Sequence, residues 1–92
     1  MPTVVIPVIF RGPTRGEAEI EVPAKTIGAC FDAVEARYPG LRELVIDLEA
    51  GGIHRFVKVT LNGELLERDP AVLETPVSEG DRIEVIAAIA GG

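Results

Sequence analysis

The segment that decides the fold is the last one, Glu79-Gly80-Asp81-Arg82-Ile83-Glu84-Val85-Ile86-Ala87-Ala88-Ile89-Ala90-Gly91-Gly92. Its Gly80-Asp81 pair has the chemistry of a turn. The stretch from Arg82 to Ile89 is mostly apolar and rich in Ile and Val, which predicts a strand. The remaining Ala90-Gly91-Gly92 carries no bulky or charged side chain, so it predicts a short tail beyond the strand.

The segment from Thr3 to Val22 predicts an antiparallel hairpin. Thr3 to Phe10 is apolar and rich in Val and Ile, which is typical of a strand, although Pro7 must interrupt the pairing because it has no backbone N–H. Residues 11–16 have turn chemistry. Glu17 to Val22 then alternates acidic and apolar residues, as in a strand with one face in water. Since the first and last strands are the most apolar, we expect them side by side and buried in the centre of the sheet.

The middle of the chain predicts one main helix. Thr26 is placed as its N-cap, and apolar residues recur at helical spacing from Ile27 to Tyr38. Pro39-Gly40 stops that helix. A weaker repeat between Leu41 and Leu48 predicts a short second helix.

A second hairpin follows. Arg55 to Leu61 alternates like a strand, and Asn62-Gly63 is a strong hairpin signal that precedes a brief return strand at Glu64 to Leu66. Asp69 to Val77 is irregular. We therefore predict an α+β roll, with a mixed sheet of four to five strands packed on one main helix.

Composition limits the classes of function. A chain of 92 residues forms one domain, here residues 1–90, with a flexible tail at 91–92. The net charge of −6 opposes nucleic-acid binding and favours a basic partner surface. No apolar run is long enough to span a membrane, and the N-terminus does not read as a signal peptide. With one cysteine, Cys30, no internal disulfide is possible, so we expect a cytoplasmic protein without a metal site.

This order of elements, ending in Gly91-Gly92, resembles the β-grasp fold of ubiquitin-like proteins. Within that group the chain looks like the sulfur carriers of the MoaD/ThiS type. The likeness rests on residues 79–92, on Asn62-Gly63 and on the predicted helix, and it extends over essentially the whole chain. The stretch from Ile53 to Val57 looks closest to the carriers of cysteine biosynthesis. One departure is that these carriers often have proline where this chain has Ala87 or Ala88.

The resemblance implies that the working group is the terminal carboxylate of Gly92. An E1-like adenylating enzyme uses ATP to activate it, and a sulfur donor then converts it to a thiocarboxylate. The tail residues Ala88, Ile89, Ala90 and Gly91 would contact that partner, and the two glycines can thread a narrow channel because they lack Cβ atoms. The sulfur acceptor would be a cysteine synthase-like enzyme or the large subunit of molybdopterin synthase. The chain would be a carrier rather than an enzyme, with no permanently bound cofactor.

Two other functions stay open at this point. The same tail suits a protein modifier that is conjugated to lysines, as ubiquitin is. A β-grasp binding module would instead make the terminal glycines incidental, because chain ends are usually tolerant of change.

Side chains elsewhere are better explained by structure. Cys30 shares an apolar helix face, which favours a core position over a nucleophile. His54 has no obvious orienting acid nearby, so we expect its side chain to make a surface or loop contact. Glu17, Glu19 and Glu21 are explained by a solvated strand face, although a basic partner could dock there. Gly51-Gly52 indicates a loop, and the alternation around Val57, Val59 and Leu66 favours the core.

Overall fold

A computed structural model describes residues 1–87 of the chain. It contains five strands, two α-helices and two short 3-10 helices. The strands are β1 (Thr3–Val5), β2 (Glu19–Glu21), β3 (Val57–Leu61), β4 (Glu64–Leu65) and β5 (Arg82–Ala87). The helices are α1 (Ile27–Arg37) and α2 (Arg42–Val45), and the 3-10 helices span Val8–Phe10 and Pro70–Glu74.

The five strands form one mixed sheet in the order β2-β1-β5-β3-β4. β1 runs antiparallel to β2 and parallel to β5, while β3 runs antiparallel to both β5 and β4. The first and last strands therefore lie side by side, as predicted, and β5 is the central strand. This sheet with its one main helix is the β-grasp roll predicted from the sequence.

The core lies between the inner face of the sheet and α1. Thr26 caps the helix, because its hydroxyl accepts a hydrogen bond from the backbone N–H of Ala29 at 3.1 Å. The predicted helix face is buried at every position except Tyr38, which is half-buried. The buried residues of α1 are Ile27, Cys30, Phe31 and Val34.

The predicted hairpin turn at Asn62-Gly63 is confirmed. Both residues have positive φ, 50° for Asn62 and 90° for Gly63, as a two-residue turn matched to the twist of the flanking strands requires. Val57 and Val59 of β3 are buried, and Leu66 beyond the turn is half-buried, so the core assignment for these residues is also confirmed.

Three sequence predictions about strands need correction. The strand predicted from Thr3 to Phe10 ends at Val5, because Pro7 cannot donate to the sheet and the chain then enters a 3-10 helix. β2 and β3 are also shorter than predicted. β5 is not buried on both faces, since Ile83 and Val85 point into the core while Glu84 and Ile86 are exposed. The predicted end of this strand, at Ala88 and Ile89, lies outside the described residues.

Candidate functional site

The site predicted from the sequence is the tail, and β5 is the element that leads into it. Hydrogen-bonded strands hold β5 on both sides, with Val5 opposite Glu84 and Val57 opposite Ala87. A central strand that is hydrogen-bonded on both sides gives a rigid attachment for the segment that follows it. The predicted site residues themselves, Ala88, Ile89, Ala90, Gly91 and Gly92, lie outside the described residues.

A polar clasp fixes the start of β5. The Asp81 carboxylate accepts hydrogen bonds from the Asn62 side-chain amide at 3.0 Å and from the Ser78 backbone N–H at 2.7 Å. Both bonds lower the pKa of Asp81, and the bond from Asn62 has the larger effect. The Asn62 side-chain oxygen in turn accepts from the Arg82 N–H at 2.9 Å. The clasp therefore ties the β3–β4 hairpin to the turn that starts the last strand.

At its other end, β5 reaches an exposed apolar area. A groove of about 530 Å³ runs between the β1–β2 connection and the last residues of β5. Val8 and Ile9, which line it, are 76% and 59% exposed, and Ile86 beside them is 40% exposed. On the far side of β5, Phe56 precedes the residue that pairs with Ala87. Sequence reasoning missed this area because it assigned residues 8–10 to a buried strand.

Cys30 is not part of this site. Its side chain is fully buried in the core, as predicted. Burial is the main cause that raises the pKa of the thiol to about 11, and the charge of Asp81 adds to the effect. A thiol in this state is protonated at neutral pH and is a poor nucleophile.

His54 makes the loop contact that was predicted, with its Nε2 lying 3.1 Å from the Glu43 carbonyl oxygen. The expectation that no acid lies nearby is wrong, because the Asp47 carboxylate is 3.9 Å from Nδ1. Asp47 also accepts hydrogen bonds from the N–H groups of Glu49 and Ala50, and these bonds lower its pKa. Asp47 and His54 therefore stabilise the loop that follows α2.

Within residues 1–87, no three His, Cys, Asp or Glu side chains are grouped in a way that could hold a metal ion. Among the helices in the same residues, none has the length and apolar character needed to cross a membrane.

Comparison with known proteins gives three relevant likenesses. The model of the ThiS family matches residues 9–92. The sulfur carrier protein CysO of Mycobacterium tuberculosis is 36% identical over 91 residues, which cover 98% of this chain and 97% of that protein. The crystal structure of the BexX/CysO complex from Amycolatopsis orientalis contains a chain that is 33% identical, with a TM-score of 0.85 and full coverage of both chains.

A more distant likeness concerns the fold alone. SAMP1 from Haloferax volcanii matches with a TM-score of 0.73 over 99% of this chain and 98% of that chain, but only 19% of the aligned residues are identical.

Proposed function

Since this chain belongs to the ThiS family, we propose that it carries sulfur as a thiocarboxylate formed on Gly92. The chain is a sulfur carrier protein and not an enzyme. The observation that supports this most directly is the similarity to CysO, which extends over 98% of the chain and so includes the fold as well as the C-terminal segment.

The chemistry needs an activated terminus, because a carboxylate is a poor electrophile. The Gly92 carboxylate attacks the α-phosphorus of ATP on an adenylating enzyme, which forms an acyl-adenylate and releases pyrophosphate. Hydrosulfide then attacks the acyl carbon, and AMP leaves with the electron pair of the broken C–O bond. The product is a thiocarboxylate whose sulfur is a stronger nucleophile than the carboxylate oxygen. ATP is thus a substrate of the partner, and we propose that the carrier itself holds no permanent cofactor.

The geometry of β5 suits this task. The five residues after Ala87 can span at most roughly 17 Å when extended. The body of the carrier must therefore sit against the enzyme while Gly92 reaches the nucleotide. Gly91 and Gly92 have no Cβ atoms, so a narrow channel can close around their backbone.

The carrier also needs a partner that accepts the sulfur. The related CysO of Amycolatopsis orientalis was crystallised in a complex with BexX, which shows that a close structural relative assembles with a second protein. For this chain we propose an acceptor that is either a cysteine synthase-like enzyme or the large subunit of molybdopterin synthase. We place the protein in the cytoplasm, where ATP and both kinds of enzyme are available.

The alternative of a protein modifier is not favoured. Its support is the likeness to small archaeal modifier protein 1 (SAMP1) of Haloferax volcanii, which at 18–19% identity concerns the fold alone. The relative from Mycobacterium tuberculosis, at 36% identity, is a sulfur carrier by name.

A one-residue extension tests the role of Gly92. A serine added after Gly92 should abolish thiocarboxylate formation, because the activated carboxylate would then lie one residue beyond the glycine and carry a side chain. The matched control carries the same serine before Met1. Mass spectrometry of the C-terminal tryptic peptide, after incubation with the adenylating enzyme, ATP and sulfide, measures both. Equal conversion of the two variants would overturn the role assigned to Gly92. No conversion of either variant or of the wild type, with the enzyme active on a control carrier, would instead favour a bare binding module.

A further inference from the structure

The turn between β3 and β4 holds the only side-chain amide of the chain. Asn62 is the single asparagine in the sequence, and there is no glutamine. Gly63 follows it, and both residues are exposed. Asparagine loses its side-chain amide most readily before glycine, because a residue without a Cβ hinders attack by its own backbone nitrogen least. The residue pair that suits this turn is therefore also chemically labile.

The reaction in question is deamidation, and water is the only other reactant. The backbone nitrogen of Gly63 loses its proton and attacks the side-chain carbonyl carbon of Asn62. The new C–N bond closes a five-membered imide ring, while the bond to Nδ2 breaks and ammonia leaves with its electron pair. Water then adds to one of the two imide carbonyl carbons and reopens the ring. The product at position 62 is aspartate or isoaspartate, and each carries a carboxylate that the amide did not.

In the folded chain, both polar atoms of this amide are bound. Nδ2 donates to Oδ1 of Asp81 at 3.0 Å, and Oδ1 of Asn62 accepts from the backbone N–H of Arg82 at 2.9 Å. The backbone N–H of Asn62 also donates to the Arg82 carbonyl oxygen at 2.8 Å. Ring closure requires the side chain to turn towards the nitrogen of Gly63, which gives up its bonds to Asp81 and Arg82. The polar clasp must therefore open before the reaction can proceed.

The product no longer suits the same partners. A carboxylate cannot donate a hydrogen bond, so Asp81 loses the bond that it accepts from Asn62. Aspartate at position 62 would instead place a second negative charge beside the Asp81 carboxylate, and the two charges repel each other. Isoaspartate lengthens the main chain by one carbon inside a two-residue turn, although the register of a hairpin depends on the length of its loop. Either product weakens the junction between the turn and β5.

We propose that Asn62 is a site of spontaneous deamidation, that its hydrogen bonds to Asp81 and Arg82 delay the reaction, and that the product releases the β3–β4 turn from the start of β5. The modified chain thereby loses a tie on the strand that leads into the tail. This property is independent of the proposed function, because it needs neither an adenylating enzyme nor a source of sulfur.

Intact mass spectrometry follows the reaction directly, because a side-chain amide can become an acid at Asn62 alone. The wild-type chain is incubated folded, and unfolded in guanidinium chloride, at the same pH and temperature. We expect the folded chain to deamidate at least about tenfold more slowly, since the clasp must open first. Equal rates in the two states would overturn the protection.

A variant of the clasp tests which contact gives this protection. Asp81→Ala removes the acceptor of the Nδ2 bond, and the folded variant should deamidate about tenfold faster than the wild type. The matched control is Gly51→Ala, which strains the loop before β3, whereas Asn62 follows that strand. The control should react within about twofold of the wild-type rate. If Asp81→Ala reacts no faster than Gly51→Ala, the clasp does not protect Asn62.

The effect of the product is tested by introducing it. We expect Asn62→Asp to raise the equilibrium constant of unfolding about tenfold at neutral pH. Asn62→Gly breaks the same side-chain bonds without adding a charge and tolerates the positive φ at this position, so it should lose less stability. Urea denaturation measures both variants, and circular dichroism checks that each one folds. A stability of Asn62→Asp equal to that of the wild type would overturn the release of the turn.

Discussion

At the residue scale, two neighbouring glycines after α2 are required for different reasons. Gly51 has φ of +86°, a conformation that residues with a Cβ adopt at a cost, but a Cβ there would meet only Pro70 at an ordinary 3.5 Å. Gly52 is buried, and a Cβ there would lie 2.0 Å from the backbone oxygen of Arg68. That oxygen accepts a hydrogen bond from the Ile53 N–H at 2.9 Å, so it cannot move away freely.

Alanine substitutions should separate these two roles. We expect Gly52→Ala to lower the free energy of unfolding by about 3 kcal/mol, because the clash is with backbone atoms. Gly51→Ala should cost only about 1 kcal/mol, which is the strain of the left-handed conformation. Urea denaturation of both variants measures the difference. Equal losses, or a smaller loss for Gly52→Ala, would contradict the close approach between this loop and Arg68.

The sequence predicted a loop at Gly51-Gly52 but not this difference between its members. Gly51 can be identified from turn preferences, whereas the need for Gly52 arises from the approach of residue 68, which is distant along the chain. The same limit applies to the groove beside the end of β5. The sequence predicted that β5 is buried, and it did not show that Val8 and Ile86 line one groove.

At the element scale, one carboxylate joins the two helices. Glu35, near the end of α1, accepts hydrogen bonds from the backbone N–H of Arg42 at 2.9 Å and from that of Gly40 at 3.1 Å. These bonds, with the one from Arg42 first, lower the pKa of Glu35. The first four backbone N–H groups of an α-helix have no hydrogen-bond partner within the helix. The side chain of Glu35 supplies a partner for one of them, the N–H of Arg42 in α2.

Neutralising Glu35 should loosen this connection in a pH-dependent way. We expect Glu35→Gln to lower the free energy of unfolding by about 1 kcal/mol at neutral pH, a modest loss because the group is partly exposed. The folded-state pKa lies below the unfolded value of 4.5. The advantage of the wild type is therefore present above pH 4.5 and is lost as pH falls through the lower folded-state value. Urea denaturation across this range provides the measurement.

The control for this prediction is Glu43→Gln, which removes an exposed carboxylate in α2. It should have little effect at either pH. A gap between wild type and Glu35→Gln that persists unchanged at low pH would show that the carboxylate charge is not what joins the helices.

Element prediction from the sequence succeeded where local signals agree. The Thr26 cap, the Pro39-Gly40 stop and the Asn62-Gly63 turn each fix an element end through backbone chemistry that is local to the residue. Strand lengths were less predictable. β1 ends where Pro7 requires it, but β2 is limited to Glu19–Glu21 because it pairs only with Thr3–Val5 of β1, which is a property of the sheet rather than of the segment.

At the scale of the whole molecule, the topology determines where the last strand lies in the sheet. β5 is the last strand in sequence and the central one in space, so the final residues continue from the best-supported position in the sheet. The hydrogen bonds of Asp81 hold the start of this strand, and the groove lined by Val8 and Ile86 lies beside its end. The assignment of Gly92 as the working residue remains a prediction from the sequence.

If Gly92 is the working residue, sulfur replaces one of its carboxylate oxygens, and peptide mass spectrometry detects this exchange. The carrier is incubated with its adenylating enzyme, ATP and sulfide, and is then digested with trypsin, which cuts after Arg82. The C-terminal peptide, residues 83–92, contains neither methionine nor cysteine, so oxidation of Met1 or Cys30 cannot mimic the change. We expect this peptide to gain the mass difference between sulfur and oxygen. An unchanged peptide, with the enzyme active on a control carrier, would contradict it.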